Sequence, residues 1–291
     1  MNMNNSINFK KQRELGSILT DIFKFIRLNW KLLFELILKI AGPALLILLI
    51  GFIFYLQSFV GGFGIIETVD AIDNFSTNVI LSLLVVIVAG LVYYALLNGV
   101  VLHFIKSYIK NGGIVNKAEV IQGVKDDFWS LIGTSFLVAI IIFVGAMFCV
   151  IPGIYLGIVL SIAYAVVVFE NRSVIDTISY CFDLVKGEWW ATFATLFVTG
   201  LLYYFINIIF QVPQYIYFFI KAFTGSQEIS ADPSVMFDWV YLSLSTVGMV
   251  FQYLLYTIIV ICSAFIYFNL NEKKNFTGTI EAIDSLGANN Q

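Results

Sequence analysis

The sequence predicts an all-α integral membrane protein. Six transmembrane helices are expected, as three repeats of a cytoplasmic interfacial amphipathic helix plus a transmembrane hairpin. Three observations predict this. Of 291 residues, 60% are hydrophobic and only 12% charged, against roughly a quarter charged in soluble domains. The polar residues cluster, leaving uncharged runs long enough to cross a bilayer. One amphipathic stretch occurs three times, each time directly before such a run.

The clearest copy is Arg172–Trp190. Val174, Ile175, Ile178, Cys181, Phe182 and Val185 recur at helical spacing, with Arg172, Asp176, Asp183 and Lys186 between them. It ends Val185-Lys186-Gly187-Glu188-Trp189-Trp190. Earlier copies end Ile26-Arg27-Leu28-Asn29-Trp30 and Val124-Lys125-Asp126-Asp127-Phe128, with Trp129 next. The common pattern is apolar, basic, any residue, Asn/Asp/Glu, aromatic. Arg27, Lys125 and Lys186 suit the headgroup layer, where long basic side chains reach phosphates. Trp30, Phe128, Trp129, Trp189 and Trp190 suit the boundary as aromatic anchors. The polar residue before each aromatic is placed to cap the spanning helix.

Taken in order, Asn5–Arg13 reads as a polar, basic lead-in and Glu14–Leu28 as the first interfacial helix. Met1–Gly16 lacks a short apolar core with a small-residue cleavage site, so the first span is expected to direct insertion. Trp30–Lys39 falls at the boundary and Ile40–Val60 forms the first span, with Gly42-Pro43 a bend between them. Glu35 and Lys39 are spaced as an i,i+4 pair. They read as a snorkelling boundary pair or as a buried pair at a gate. Gly61–Ser76 is an acidic loop with Glu67, Asp70 and Asp73. Thr77–Phe104 is the second span.

A lysine-rich connection then holds the second interfacial helix, and Leu131–Val150 is the third span. Ile151-Pro152-Gly153 reads as a tight turn and Ile154–Phe169 as the fourth span. Gly153, Gly157, Ser161 and Ala165 form a small-residue stripe for close helix packing. Trp190–Phe210 is the fifth span, with a kinked or interfacial extension past Pro213. Pro152 and Pro213 fall at matching offsets from Phe128 and Trp189, which supports the repeat. Gly225–Asp238 is an acidic loop and Trp239–Leu270 the sixth span. Phe276, Ile280, Ile283 and Leu286 mark a final amphipathic helix stopped at Gly287. The whole chain, 1–291, reads as one membrane domain. Its repeats cover 14–104, 116–169 and 172–270, with a cytoplasmic tail at 271–291.

Orientation follows from the basic residues. With both termini cytoplasmic, Lys221 is the one Lys or Arg of 16 on the outer side. The three interfacial helices then share the cytoplasmic face, where anionic lipids attract basic segments. The expected location is a bacterial inner membrane.

Catalytic chemistry is sparse. The single histidine, His103, reads as a hydrogen-bonded boundary residue rather than a catalytic or metal-binding one. Paired with Glu170 it is the only conceivable acid–base set, and the two lie on different spans. Cys149, Cys181 and Cys262 are isolated and read as small apolar residues. No metal-ligand spacing or phosphate-binding glycine loop is visible, so no cofactor, metal or nucleic acid is expected. Asn98, Gln211 and the Glu35–Lys39 pair are candidates for a polar path. Interhelical hydrogen bonds are the alternative for Asn98, Asn207, Gln211, Gln214 and Gln252.

Several short stretches together resemble a known family. They are Gly16-x-Ile18-Leu19-x-Asp21-x-Phe23, Pro152-Gly153-Ile154-Tyr155-Leu156, and Val168-Phe169-Glu170 with Val174. Leu184-Val185-Lys186-Gly187-Glu188-Trp189-Trp190 and the tail Ile266–Lys274 complete the set. The chain resembles bacterial glycerophosphoryl diester phosphodiesterase membrane-domain proteins, in the stand-alone form found in Bacteroidota. The resemblance implies a multi-span membrane module without the soluble hydrolase barrel, so it carries over no catalytic residues. The expected function is a non-enzymatic module that organises lipid or docks a partner protein, or a second copy, through the cytoplasmic helices. The alternative is a transporter or lipid-handling permease with a polar cavity between its helices.

Overall fold

The computed structural model describes residues 7–61, 69–225 and 233–288. Glu67 and the side chains of Asp70 and Asp73 lie outside the described residues, as does 226–232 of the expected second acidic loop. The described chain is helical throughout, with no strand. Six segments are long and apolar enough to cross a membrane: Gly42–Phe59, Thr77–Lys110, Phe128–Phe148, Val150–Glu170, Trp189–Thr224 and Trp239–Asn275.

Helix α1, Leu15–Ile40, runs unbroken through both the expected interfacial helix and the boundary segment. Nothing between Leu15 and Ile40 removes a backbone donor or forces a turn. The break falls at Ala41, and Pro43 enters the first turn of α2, Gly42–Gly61, where its missing N–H costs nothing. Helix α3 spans Val69–Lys110, so it takes up half of the loop expected over Gly61–Ser76. Helix α4 is Lys117–Asp126, capped by Asn116, whose side chain accepts from Ala118 N.

Helices α5, Phe128–Phe148, and α6, Val150–Leu160, form a tight antiparallel hairpin. Its turn is not Pro152-Gly153. The chain reverses at Cys149, extended at φ −172° and ψ 153°, and Pro152 sits in the first turn of α6. Gly153 instead lets the two helices touch. A Cβ there would lie 3.0 Å from Ala146 Cα.

The small-residue stripe is interrupted rather than continuous. Helix α6 ends at Leu160, and α7, Ala163–Glu170, begins after a turn at Ser161 and Ile162. Ser161 Oγ donates to Ile158 O at 2.8 Å, within its own chain segment. Gly153 and Gly157 therefore approach α5, while Ala165 is buried on α7.

Helix α8 is Val174–Val185, and its N-cap Ser173 accepts from Asp176 N. The linker to α9, Trp189–Thr224, turns at Gly187 with φ +85°. That conformation favours glycine, and it accounts for Gly187 in the Lys-Gly-Glu-Trp-Trp stretch. Helix α9 continues through Pro213 without ending. Pro152 and Pro213 are thus not equivalent: one begins a helix after a turn and the other lies inside one. A 3₁₀ turn at Pro233–Phe237 precedes α10, Trp239–Leu255. Helix α11 is Thr257–Asn275, and α12 is Thr277–Ala288, one residue longer than a stop at Gly287 allows.

The helices gather into two compact units. The first comprises Met1–Ala41, Tyr94–Leu201 and Thr257–Gln291, and the second Gly42–Tyr93 and Leu202–Tyr256. The first and third sequence repeats are each divided between units, whereas the second lies wholly in the first unit.

In the first unit α1 packs on α11, and its Ile18, Ile22 and Phe25 are buried, with Phe25 edge-on to Phe104 and Tyr108 of α3. The stretch expected as a polar lead-in is part of this core. Ile7 and Phe9 are buried, and Phe9 stacks on Phe265 at 4.5 Å with an 8° interplanar angle. In the second unit, Tyr93 donates to Tyr253 O at 2.9 Å and Tyr203 to Gln252 O at 3.2 Å. Phe210 stacks on Phe251 at 4.0 Å. Lys221 and Tyr217 both donate to Asp238, which also caps α10 through Tyr241 N.

Candidate functional site

The three matching stretches share one detail, an Asn, Asp or Glu immediately before an aromatic. None of the three side chains caps the spanning helix. Asn29 lies inside α1 and donates from Nδ2 to Phe25 O at 3.0 Å. Asp127 stands between α4 and α5 with no capping bond from its side chain. Its carboxylate accepts from His103 Nε2 at 3.0 Å. Glu188 accepts from Lys273 Nζ at 2.7 Å. Two of the three therefore tie one helix to another instead of closing a helix end. A charge-assisted bond across helices is stronger than a neutral cap bond, which gives the carboxylates a better use here.

The apolar faces of α1 and α4 are partly buried, and that of α8 is divided between core and surface. On α4, Val120 and Val124 are buried, and on α8 Thr177, Cys181, Leu184 and Val185 are buried. With Ile18, Ile22 and Phe25 of α1, these faces pack on protein. What remains outward is the basic and aromatic set. Arg27, Lys125 and Lys186 are exposed, and so are Trp30 at 52%, Trp129 at 79% and Trp190 at 75%. Phe128 is half-buried. Trp189 is half-buried too, stacked between Tyr155 at 5.7 Å and Phe193 at 5.4 Å. Ile175 and Phe182 of α8 are exposed apolar residues beside Lys186.

Helix α8 is held firmly against α11. Lys274 donates to Asp183 O at 3.0 Å and Asn275 to Tyr180 Oη at 3.1 Å. The Arg172 guanidinium lies over the Tyr180 ring, 3.9 Å from its centre. Burial, with the nearby Glu170 carboxylate adding, raises the Tyr180 phenol above its ordinary range. Burial also pushes the Cys181 thiol up to about 12, so it packs as a small apolar residue.

The proposed polar path does not assemble through shared partners. Glu35 pairs with Lys117 Nζ at 2.6 Å rather than with Lys39. Asn98 is buried and donates to Tyr94 O in its own helix at 2.8 Å. Gln211 donates to Gln252 Oε1 at 3.2 Å, the interhelical alternative. Glu35, Asn98 and Gln211 thus each have their own nearby partner.

His103 and Glu170 are likewise separately engaged, His103 with Asp127 and Glu170 with the Tyr267 hydroxyl at 2.6 Å. His103 fits against α4 because position 123 is glycine. A Cβ at Gly123 would come within 2.3 Å of His103 Nδ1. A cavity of about 540 Å³ adjoins this pair, lined by Lys106, Lys110, Glu119 and Asp126 among others. Among the described residues no group of three or more His, Cys, Asp or Glu is placed to hold a metal ion.

Glu119 closes the connection between α3 and α4. It accepts from Lys110 Nζ, Ser107 Oγ and Asn111 Nδ2, each at 2.9 Å. Those hydrogen bonds, the one from Lys110 first, hold its carboxyl down from 4.5 to about 2. The folded value is depressed, so the contribution is fully present above 4.5 and lost as pH falls through about 2. Carboxyl titration followed by infrared difference spectroscopy should find Glu119 ionised at pH 3.5. Glu119→Gln should remove that band.

Two buried charges escaped the sequence reading. Arg13 has a fully buried side chain whose Nε donates to Asp21 Oδ2 at 2.9 Å. Its other nitrogens donate to the carbonyls of Phe9, Lys11 and Asn8. Glu272, expected to leave the membrane with its lysine neighbours, is buried. It accepts from Gly278 N at 2.6 Å and Thr279 N at 3.1 Å, closing the start of α12. The Thr277-Gly278-Thr279 run after Glu272 was the available signal.

Among the described residues, six helices long and apolar enough to cross a membrane define a multi-pass helical membrane protein. The chain belongs to the uncharacterised protein family UPF0259, whose model matches residues 54–226. No curated protein and no solved structure matches the chain.

Proposed function

We propose that the chain is a non-enzymatic module of a bacterial inner membrane that organises lipid or docks a partner protein through its cytoplasmic helices. The observation that carries this reading is the outward set Arg27/Trp30, Lys125/Trp129 and Lys186/Trp190. Arg27 and Trp30 stand on α1, Lys125 is in the last turn of α4 with Trp129 in the first turn of α5, and Lys186 follows α8 with Trp190 beginning α9; α1, α4 and α8 each bury residues in the protein core. A rigid backbone presenting basic and aromatic side chains suits recognition of anionic headgroups or of an acidic partner. The stand-alone membrane-domain resemblance supports the same reading. Orientation with both termini inside rests on the lysine and arginine distribution. Phe9 packing on Phe265 and Phe268, and Lys10 pairing with Glu281, support placing both ends of the described chain on one face.

The test is charge reversal at Arg27, Lys125 and Lys186 in the full chain, with phosphatidylglycerol and phosphatidylcholine as probes in detergent micelles. Each basic residue near a membrane surface is worth about 1 kcal/mol toward anionic lipid. The triple variant should therefore bind phosphatidylglycerol at least about fivefold more weakly per site, with phosphatidylcholine unaffected. Unchanged retention of anionic lipid and of any co-purifying protein, in a variant of native helicity, would contradict the proposal.

A further inference from the structure

A groove of about 700 Å³ opens in the first unit, walled by Ile40, Leu96, Phe128 and Trp129, with Lys39 and Lys125 on its lining. Its size is that of a ligand site rather than a packing flaw. The two lysines stand at equivalent heights along the chain. Each lies three residues before the start of a membrane-crossing segment, at Gly42 and Phe128. The groove thus lies beside the starts of two apolar helices, where the proposed membrane placement puts the headgroups.

The charge in the groove is uncompensated. Among the described residues neither Lys39 nor Lys125 forms an ion pair. The nearby carboxylates are turned elsewhere: Glu35 to Lys117, Asp127 to His103, and Asp126 to Gln122 at 2.7 Å. Asp126 and Asp127 line the other cavity, not this one. An apolar lining beside two lysines that form no ion pair among the described residues matches one occupant in chemistry and charge. That occupant carries a phosphate on an acyl-chain body.

We infer that this groove is a binding site for a single anionic phospholipid. Its phosphate bridges Lys39 and Lys125, and the upper part of an acyl chain lies against Leu96, Phe128 and Trp129. The inference rests on the proposed lipid-organising role and narrows it to one site.

Native mass spectrometry of the full chain, with phosphatidylglycerol or phosphatidylcholine added to the micelles, tests it. The wild type should retain one phosphatidylglycerol ahead of all others. Lys39→Gln/Lys125→Gln should weaken that first binding step about thirtyfold, two surface lysines being removed. Trp129→Ala should weaken both lipids alike, because it removes wall rather than charge. Equal first-step affinity for the two lipids, or a double variant that binds like wild type, would overturn the groove.

Arg27→Glu/Lys186→Glu separates the two proposals. If it lowers anionic-lipid retention while Lys39→Gln/Lys125→Gln does not, the wider platform stands and the groove falls. The reverse pattern keeps the groove and removes the platform.

Discussion

Phe9→Ala is expected to destabilise the first unit by about 3–5 kcal/mol, the range for truncating a fully buried phenylalanine. Phe9 is 1% exposed. Besides its stack on Phe265, it meets Phe25 at 5.4 Å, Phe268 at 5.6 Å and Tyr108 at 6.1 Å, all edge-on or nearly so. Removing the ring leaves a cavity walled by four aromatic side chains from three helices. Rigid helices on every side cannot close around it, so both transfer and cavity contributions apply. Thermal unfolding in detergent, followed by near-ultraviolet circular dichroism, reads the loss. Lys11→Ala, at a side chain 53% exposed, is the control and should stay within about 0.5 kcal/mol of wild type. A Phe9→Ala variant as stable as that control would show that the N-terminal segment does not pack in the core.

Asp21→Ala should cost about 3 kcal/mol, the low end for stranding a buried charge, since Asp21 itself keeps 18% exposure. Desolvation lowers the Arg13 pKa, and the Asp21 hydrogen bond and charge work against that shift. Without Asp21 the guanidinium keeps only neutral carbonyl acceptors and the Phe265 ring, 4.8 Å from its carbon. Arg13→Met/Asp21→Ala should recover a large part of the loss, because no unpaired charge then stays buried. Equal losses in the single and double variants would show that Asp21 acts through some other contact.

The spans were legible because long apolar runs dominate any other signal. Helical periodicity was legible too, since Ile18, Ile22 and Phe25 do share one face. The destination of that face was not. An apolar stripe satisfied by lipid and one satisfied by protein have the same spacing, and only tertiary structure tells them apart. The N-terminal segment shows the limit differently. Ile7 and Phe9 are only two apolar residues among polar neighbours, too few for any period. Arg13 reads as a surface charge until Asp21 is folded against it.

In the three matching stretches, residue types were legible and partners were not. Asn29, Asp127 and Glu188 occupy equivalent places in one pattern, yet they bond to a backbone carbonyl, an imidazole and a lysine. Glu35 illustrates the same point. Local spacing pairs it with Lys39, whereas the fold brings Lys117 to it from 82 residues away. That exchange frees Lys39 for the groove it shares with Lys125. Pro152 and Pro213 matched in offset because two proline residues can share a register by coincidence of helix length. Their backbones differ, and the first matching stretch lies inside one unbroken helix, so the three stretches match in residue type and not in local structure.

The most direct measurement is extraction of the tagged full chain in a lipid-preserving polymer, with mass spectrometry of the proteins and lipids that accompany it. The account predicts a fixed protein partner or an enrichment of anionic phospholipid over the surrounding membrane. Either should be lost on charge reversal at Arg27, Lys125 and Lys186. A chain that emerges with no partner, in lipid of bulk composition, and is unchanged by the reversal would contradict it.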